Sequence, residues 1–350
     1  MENITLEKPI PIGESKLQGE TVTLRKIGRV ERVLGPDNYR VLKGMFKTPA
    51  SIFGFILIAL FVLIAIFAPL IAPPVNPNDP FKIPRDGFKS DPQPMMSPWN
   101  RNAPPLPFWW GIMPTDDWVH VLGTSQGQYD VFYGIVWGTR TAFKTGTVVV
   151  LATLLIGILV GSVSAFYGGR VDNVIMRIVD VFLTLPFILA ALIMAAVLTP
   201  RIGRTLVPAM LALITFGWMG YSRIIRGDIL TVKERDYVMA ARVVGVKDRR
   251  ILFRHILPNA IFPTIVLASL AIGDVVLSFA ALSFLGIGTE VGFADWGQLL
   301  SFARNWIISL DEYWYIIVWP GLVLTMFVMG WNLVGDALRD VLDPRMRGKT

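Results

Sequence analysis

The sequence predicts an all-α polytopic membrane protein with about six transmembrane helices and with both termini in the cytoplasm. Of its 350 residues, 53% are hydrophobic and only 17% are charged, which is below the quarter that is typical of a soluble domain. The apolar residues also lie in blocks of about 20, the length that a helix needs to cross about 30 Å of hydrocarbon. No alternating ten-residue pattern indicates a barrel, so helices are the expected spanning elements.

Six apolar blocks are predicted as spans. Four have full length, one is slightly shorter and the sixth is the weakest: 52–71, 147–166, 261–285, 314–334, 181–199 and 206–221. The expected layout has a cytoplasmic tail, a first span, an external loop rich in Pro and aromatic residues, a core of five spans and a second cytoplasmic tail, over 1–50, 51–72, 73–141, 142–340 and 341–350. The core contains a polar cytoplasmic loop at 234–259.

The net charge of +7 reports topology rather than a nucleic-acid partner. With the N-terminus inside, the predicted cytoplasmic segments hold 24 of the 33 Lys and Arg residues, and the longer external segments hold 9. This asymmetry is the positive-inside bias of membrane proteins. It also supports the weak span at 206–221, since without that span the basic loop after it would lie outside.

Residue types that carry enzyme or metal chemistry are scarce. The chain has no Cys and only two His residues, His120 and His255, so we expect no catalytic residue and no metal site. The nearest match to a phosphate-binding loop is DPRMRGKT at 343–350. Asp343 stands there in place of the first Gly of the GxxxxGK[ST] pattern. If ATP drives this protein, a different chain is expected to bind it.

A few residues in or near the spans suggest a pathway or close helix packing. Asp274 is predicted deep inside a span, where a carboxylate marks an ion pathway by default, although a hydrogen-bonded or cavity-facing structural role is favoured. Asp180 lies at the edge of a span, three residues after Arg177, which predicts an ion pair between them. Gly157 and Gly161 have the small-xxx-small spacing that allows two helices to approach closely.

The polar loop at 234–259 predicts two short helices joined at Gly245. The first helix has an apolar face of small side chains at helical spacing, which are Tyr237, Ala240, Ala241 and Val244. Gly245 is expected to end this helix with a positive φ, and Asp248 suits the first turn of the second. The inner stripe of the second helix is expected to contain Ile251, Leu252 and His255, with Lys247, Arg249, Arg250 and Arg254 mostly outside. Since topology alone needs no such structure, we expect a protruding helix–turn–helix that docks a cytoplasmic partner.

The same loop resembles the EAA loop of ABC importer permeases. Ala240-Ala241, Gly245 and Leu257-Pro258 carry the resemblance, and FRHILPN at 253–259 is similar to the oligopeptide/dipeptide/nickel branch. Further strings over 46–350 resemble its C-type permease subunits: FKTPASIFG, APLIAP, LSFLGIG, DWGQLL and NLVGDALRDVLDPR.

The resemblance implies a type I ABC importer transmembrane fold in a prokaryotic plasma membrane. The implied partners are a second homologous permease, two ATPase subunits that bind ATP and Mg, an external substrate-binding protein and the lipid bilayer. The implied solute is a peptide or a similar small solute. The residues expected to couple to the ATPases are Ala240, Ala241, Gly245, Val246, Lys247, Asp248, Arg249, Arg250, Arg254, His255, Leu257 and Pro258. Candidates for the pathway or for helix packing are Asp274, Phe279, Asp180, Arg177, Gly157 and Gly161.

The chain departs from the family pattern at several positions. Met239 replaces the usual Glu of the loop, and His255 occupies a slot that is often Ile. Phe279 stands where an acidic residue is expected. Two alternatives outside this family are an ion-coupled secondary transporter centred on Asp274 and a non-transporting membrane scaffold that uses the long external loop.

Overall fold

A computed structural model describes residues 44–46, 48–87, 89–112 and 118–342 of the chain. The predicted tail at 1–50 lies mostly outside these residues, and so does the DPRMRGKT segment. Twelve α-helices follow one another in the described part: α1 (Pro49–Ile71), α2 (Val131–Tyr167), α3 (Gly169–Leu183), α4 (Phe187–Ile202), α5 (Leu206–Lys233), α6 (Asp236–Val243), α7 (Asp248–Ile251), α8 (Leu257–Ala260), α9 (Phe262–Phe284), α10 (Trp296–Ala303), α11 (Leu310–Tyr313) and α12 (Tyr315–Leu342).

Shorter elements lie between these helices. Two-residue strands β1 (Ser97–Pro98) and β2 (Val119–His120) pair antiparallel. Two 3₁₀ turns span Trp110–Ile112 and Arg304–Ser309, and a π-helical turn spans Leu252–Ile256.

Four helices of the described part are long and apolar enough to cross a membrane, namely α1, α2, α9 and α12. A fifth span is reached if α3 and α4 count as one element, although they meet at an angle of 89°. Pro186 precedes α4 and disfavours continuous helix at this bend. Helix α5 is not in this set, and its second half carries Arg223, Arg226 and Lys233. The multi-pass helical class is confirmed, and the count of six spans stays a prediction.

Helix α2 begins at Val131, within the segment 73–141 that is predicted as an external loop. The Asp130 side chain caps this helix by accepting a hydrogen bond of 2.7 Å from the Tyr133 N–H. Helix α1 likewise begins two residues before the predicted 51, since Thr48 accepts from the Ser51 N–H and Pro49 occupies the first turn. Both differences arise from local capping, which satisfies N–H groups that a helix leaves free at its start.

Helices α2 and α5 pack with their backbones in close approach. A Cβ atom at Gly161 would lie 2.3 Å from the Ser222 carbonyl oxygen, and one at Gly157 would lie 2.5 Å from the Tyr221 Cβ. Since real Cβ atoms do not come so near, only glycine fits these two positions at the present helix separation. Across α2, α4, α5 and α9 a buried cluster contains Val149, Ala191, Leu213 and Phe279.

The described residues of 73–130, which are predicted to be external, are folded against the helix ends. Aromatic side chains hold it there: Trp109 Nε1 donates to the Ile71 carbonyl and Trp137 Nε1 to the Ala72 carbonyl, each at 2.9 Å. The Tyr133 hydroxyl donates to the Pro80 carbonyl at 2.6 Å. These bonds satisfy carbonyl groups at and beyond the C-terminal end of α1, so the aromatic residues of this region have a structural role.

Candidate coupling loop and transport pathway

The turn between α6 and α7 has the geometry of a Schellman motif. Gly245 has a φ of 80°, the positive value expected at this position. The Gly245 N–H donates to the Arg242 carbonyl at 2.9 Å, and the Val246 N–H donates to the Ala241 carbonyl at 3.1 Å. These two bonds are the pair that closes a helix in this motif. The chain therefore reverses at Gly245 without leaving the last carbonyls of α6 free.

The segment from α6 to α8 packs on the C-terminal ends of α2 and α5. Val238, Ile251 and Ile256 are fully buried. They form one cluster with Ala165 of α2 and with Ile225 and Ile229 of α5. This segment is therefore in direct contact with two long helices.

The buried face of α6 differs from the predicted one. Tyr237 and Ala240 are exposed, Val244 is 81% exposed, and only Ala241 of the expected face packs against the cluster. Val238 takes the buried position, because the side that points to α5 is set by how the whole loop docks. A helix of eight residues has too few turns for its own pattern to decide this.

The inner stripe of the second helix is also shifted by one residue. Ile251 and Leu252 are buried as expected, but His255 is only half-buried, and Ile256 fills the next inner position. The Leu257 N–H bonds to the Leu252 carbonyl five residues back. Such a π-helical turn inserts one extra residue into the repeat, so the residue after His255 points inward.

The outer surface of the loop combines cations with apolar side chains. Lys247, Arg249, Arg250 and Arg254 are exposed, and Lys247, Arg249, Arg250 and Phe253 line a shallow open cavity. Val243 is 88% exposed and Val244 is 81% exposed beside it. We call Val243, Val244, Lys247, Arg249, Arg250, Phe253 and Arg254 the coupling surface. Val243 and Phe253 were not among the predicted coupling residues, although two consecutive valines before a helix-ending glycine indicate such a surface.

Polar contacts that the sequence analysis did not predict connect the helices beside this loop. Arg226 of α5 makes two hydrogen bonds of 2.5 Å to the carboxylate of Asp172 in α3, which also accepts from the Ser164 hydroxyl. Lys233 Nζ donates to the Ala165 and Phe166 carbonyls at 3.3 and 3.1 Å. A cation at the last carbonyls of α2 compensates the negative end of that helix.

The expected ion pair between Arg177 and Asp180 is wrong. Asp180 instead pairs with Arg223 of α5, and both side chains are more than half exposed. Helix α3 crosses α5 at this level, so the Asp180 carboxylate pairs with Arg223, which is 43 residues away along the chain. It does not pair with the cation on its own helix. Arg177 is exposed and forms no salt bridge with any residue in the described ranges.

The remaining candidates separate into packing and exposed positions. Phe279 is 2% exposed and lies in the cluster of α2, α4, α5 and α9, so it faces the interior of this chain. Asp274 lies near the middle of α9 and is exposed on the surface of the chain. The Ser278 hydroxyl donates to the Asp274 backbone carbonyl at 2.8 Å and not to the Asp274 carboxylate.

The DWGQLL segment at 295–300 builds a buried polar junction outside the candidate spans. Asp295 caps α10 through the Gly297 N–H and accepts a hydrogen bond from the Ser283 hydroxyl of α9. The Gln298 side chain accepts from the Gly292 N–H at 2.7 Å. Burial raises the pKa of Asp295 to about 6, although the bonds from Ser283 and Gly297 lower it.

Comparison with known proteins defines the class. A family model described as "Binding-protein-dependent transport system inner membrane component" matches residues 153–348. This match covers more than half of the chain, and the chain therefore belongs to that family. It is a permease component and not an enzyme, and the two alternatives of an ion-coupled transporter and a scaffold are set aside.

The similar relatives are peptide permeases. The dipeptide transport system permease protein DppC of Alkalihalophilus pseudofirmus is 34% identical over 305 residues, which are 87% of this chain and 89% of the relative. The oligopeptide transport system permease protein OppC of Bacillus subtilis is 31% identical over 84% of this chain and 85% of the relative. The resemblance to the peptide branch of ABC importer permeases is thereby confirmed. Among solved structures, one of the MetNI methionine ABC transporter in inward-facing conformations matches 60% of this chain and 97% of its own, with 16% identity and a TM-score of 0.49.

Proposed function

We propose that this chain forms half of the translocation pathway of an ATP-driven importer for dipeptides or oligopeptides in a prokaryotic plasma membrane. Relatives that are named as dipeptide and oligopeptide permeases support this solute class. The coupling surface is the observation that carries the mechanism. It is an exposed surface of cations and valines on a segment that otherwise packs tightly against α2 and α5.

The proposed assembly contains five protein subunits of four kinds around the bilayer. This chain pairs with a second homologous permease, two ATPase subunits carry ATP and Mg, and an external binding protein delivers the solute. Burial of Val243 and Val244 on association removes two apolar side chains from water, which favours docking. The surrounding cations then select a partner with acidic groups and set its orientation.

The proposed coupling runs from the ATPases to the long helices. Closure of the ATPases displaces 246–254, and Ile251 and Ile256 transmit this displacement to Ile225 and Ile229 of α5. The Gly245 turn and the π-helical turn are the two places where the loop can change its angle. The two states of the pathway must differ in these contacts, since a ligand shifts an equilibrium only by its differential affinity.

The layout and the pathway residues follow from the same proposal. Six spans with both termini in the cytoplasm put the coupling surface on the ATPase side. Gly157, Gly161 and Phe279 serve helix packing, whereas Asp274, Asp180 and Arg177 lie on surfaces that the second permease or the pathway would cover. The remaining coupling candidates (Asp248, His255, Leu257 and Pro258) shape the second helix and its exit into α9.

Charge reversal tests the docking role of the coupling surface. We expect the double variant Arg250→Glu and Arg254→Glu to lose at least tenfold in co-purified ATPase subunits, because two attractive contacts become repulsive. The matched control is Arg201→Glu with Arg204→Glu, an exposed cation in the last turn of α4 and another just before α5, which should retain the ATPases. Equal co-purification by both double variants would exclude this surface as the ATPase contact.

A further inference from the structure

We propose that α3 is an interfacial helix that lies on the cytoplasmic leaflet, with its apolar face against lipid acyl chains and two arginines at anionic headgroups. The inference rests on the proposed layout, in which 167–180 is cytoplasmic, and adds to it a specific contact with the membrane surface. For Arg177 it assigns a lipid headgroup as the cover, in place of the second permease or the pathway.

Helix α3 has an apolar face that is exposed. Its members recur at helical spacing, which brings them to one side of a helix with 3.6 residues per turn. They are Val171, Val174, Ile178, Val181 and Phe182. The exposed polar residues Asn173 and Asp180 lie on the opposite side. Such a separation of apolar and polar faces is typical of a helix that lies in the membrane surface.

The two remaining sides of α3 fix its placement. Val179 is fully buried, and Asp172 on the same side forms two hydrogen bonds of 2.5 Å with Arg226 of α5. Arg170 and Arg177, which are exposed, lie on the side away from α5. When the apolar face points to the membrane, α3 therefore has α5 on one flank and its long cationic side chains at headgroup level on the other.

The angle between α3 and α4 places α3 close to the plane of the membrane. The two helices meet at 89°, and most of α4 belongs to the apolar block 181–199 that is predicted as a span. A helix at a right angle to a span runs along the membrane surface. The charges of α3 agree with this position, because Asp172, Arg177 and Asp180 would be costly inside the hydrocarbon.

Contacts with α5 indicate which face of α3 points to the hydrocarbon. Phe182 lies against Phe216 of α5, with their ring centroids 6.0 Å apart, and Phe216 belongs to the predicted span 206–221. Asp180, on the opposite side of α3, pairs with Arg223, which lies beyond the end of that span. The apolar face of α3 is therefore turned towards the level of the span, and the polar face is turned away from it.

Lipid is the occupant that this apolar face fits. The exposed apolar surface continues from α3 through Leu185 onto Phe187 and Ile188 of α4, so one lipid contact covers both helices. Neither Arg170 nor Arg177 forms a salt bridge with any residue in the part of the chain that the structure describes. Because anionic lipids attract unpaired cations at the cytoplasmic surface, the two arginines favour a membrane surface that contains an acidic lipid.

A spin label on the apolar face measures its surroundings in the complete transporter. The transporter is reconstituted in vesicles of phosphatidylcholine and phosphatidylglycerol in equal parts. This chain has no Cys, so when the cysteines of the partner subunits are replaced, a nitroxide attaches at a single introduced Cys. The readout is the ratio of its accessibility to oxygen, which concentrates in lipid, over its accessibility to a water-soluble nickel chelate.

We expect this ratio to be about tenfold higher for Val174→Cys than for Asn173→Cys, the matched control on the polar face of the same helix. Ile178→Cys, one turn further along the apolar face, repeats the measurement if Val174→Cys does not assemble. A label at these apolar positions that is shielded from both reagents would mean that the second permease covers the face. High access of the nickel chelate would mean a water-filled pathway, and either result overturns the proposal.

Quenching by brominated lipids tests the role of the arginines. With a fluorophore at Val174→Cys, we expect brominated phosphatidylglycerol to quench about fivefold more strongly than brominated phosphatidylcholine, and Arg170→Gln with Arg177→Gln to lower this preference below about twofold. The control is Arg201→Gln with Arg204→Gln, which removes the same charge beyond the other end of α4 and should keep the preference. Equal quenching by both lipids while Arg170 and Arg177 are present overturns their assignment to anionic headgroups.

The side from which α3 is labelled separates this inference from the proposed layout. We expect a membrane-impermeant thiol reagent to label Asn173→Cys from the ATPase side of the vesicles. Labelling from the opposite side would contradict the proposed layout and would remove α3 from the cytoplasmic leaflet. Labelling from the ATPase side, together with a shielded or water-accessible Val174→Cys, would contradict the interfacial placement alone.

Discussion

The segments 73–130 and 234–260, which are predicted to be external and cytoplasmic, differ in whether their charged side chains are buried against one another or exposed. The external segment buries Asp86, His120 and Asp130 together, each less than 5% exposed. His120 Nδ1 lies 2.7 Å from Asp130 Oδ2, and its Nε2 lies 3.6 Å from Asp86 Oδ2. The segment 234–260 instead leaves Val243, Val244 and six cations exposed.

This difference separates a region whose buried charges pair within the chain from a region whose cations and valines stay exposed. The external segment has its own buried polar centre and aromatic contacts to the ends of the helices, so it behaves as a structural cover for α1 and α2. The cytoplasmic segment is anchored on one side and open on the other. Apolar side chains that remain exposed beside cations are typical of a surface that another protein covers.

The largest expected effect is the loss of Asp86 from the external polar centre. Its carboxylate accepts four hydrogen bonds, from the side chains of Gln93 and Asn100 and from the backbone N–H groups of Asn100 and Arg101. Burial raises the pKa of Asp86, but these donors hold it below its usual range. Asp86→Ala leaves several buried donors unpaired, which we expect to cost about 4 kcal/mol of unfolding free energy.

Thermal unfolding of the purified chain in detergent measures this loss. The control is Asp91→Ala, since Asp91 is exposed and accepts only from the neighbouring Ser90 hydroxyl; it should change the unfolding temperature little. ATPase co-purification should survive in both variants. If Asp86→Ala were as stable as Asp91→Ala, the buried carboxylate of Asp86 would not be what stabilises this segment.

Asp295 gives a smaller effect that depends on pH. Its pKa is raised from 3.8 to about 6, so the folded state binds the proton more tightly than the unfolded state does. The stability from this proton is full below about pH 4 and is lost as the pH rises through about 6. The total change is about 3 kcal/mol for a shift of two pKa units.

The Asp295→Asn variant keeps the cap of α10 and removes the titration. We expect its unfolding temperature to be flat between pH 4 and pH 7 relative to the wild type, whose stability falls over that range. Asp311→Asn, at an exposed carboxylate of α11, should retain the wild-type slope. A wild-type slope in Asp295→Asn as well would assign the pH dependence to other groups.

Local chemistry made part of this structure predictable from the sequence. The end of α6 at Gly245 follows from one residue that accepts positive φ, and the start of the second helix at Asp248 follows from its charge. The start of α2 at Val131 could also be predicted, because Asp130 is a strong N-cap residue. The predicted span was instead placed on the apolar block, which begins later, at residue 147.

Long-range contacts decided what the sequence could not predict. Val238 is buried instead of Tyr237 and Ala240 because Ile225 and Ile229 of α5 meet the other side of α6. The π-helical turn moves His255 out of the inner stripe of the second helix. It does so through a change in backbone hydrogen bonding that the spacing of apolar residues in the sequence does not reveal. Arg223 and Asp180 are 43 residues apart, so a rule based on neighbours along one helix selected Arg177 instead.

The smallest expected effect on stability lies at Gly245 and tests whether the cytoplasmic turn is a moving part. No atom lies within 4 Å of a Cβ built there, so a substitution meets backbone strain and no clash. Gly245→Ala should therefore cost only about 1–2 kcal/mol, yet it should lower the peptide taken up per ATP hydrolysed severalfold, because the turn then resists its required angle. Gly227→Ala on α5 is the matched control, being equally open but at a helical φ; it should be neutral or stabilise by up to about 1 kcal/mol. Equal uptake per ATP in both variants would make Gly245 a static helix end and would confine the mechanical role of this segment to the docking of its coupling surface.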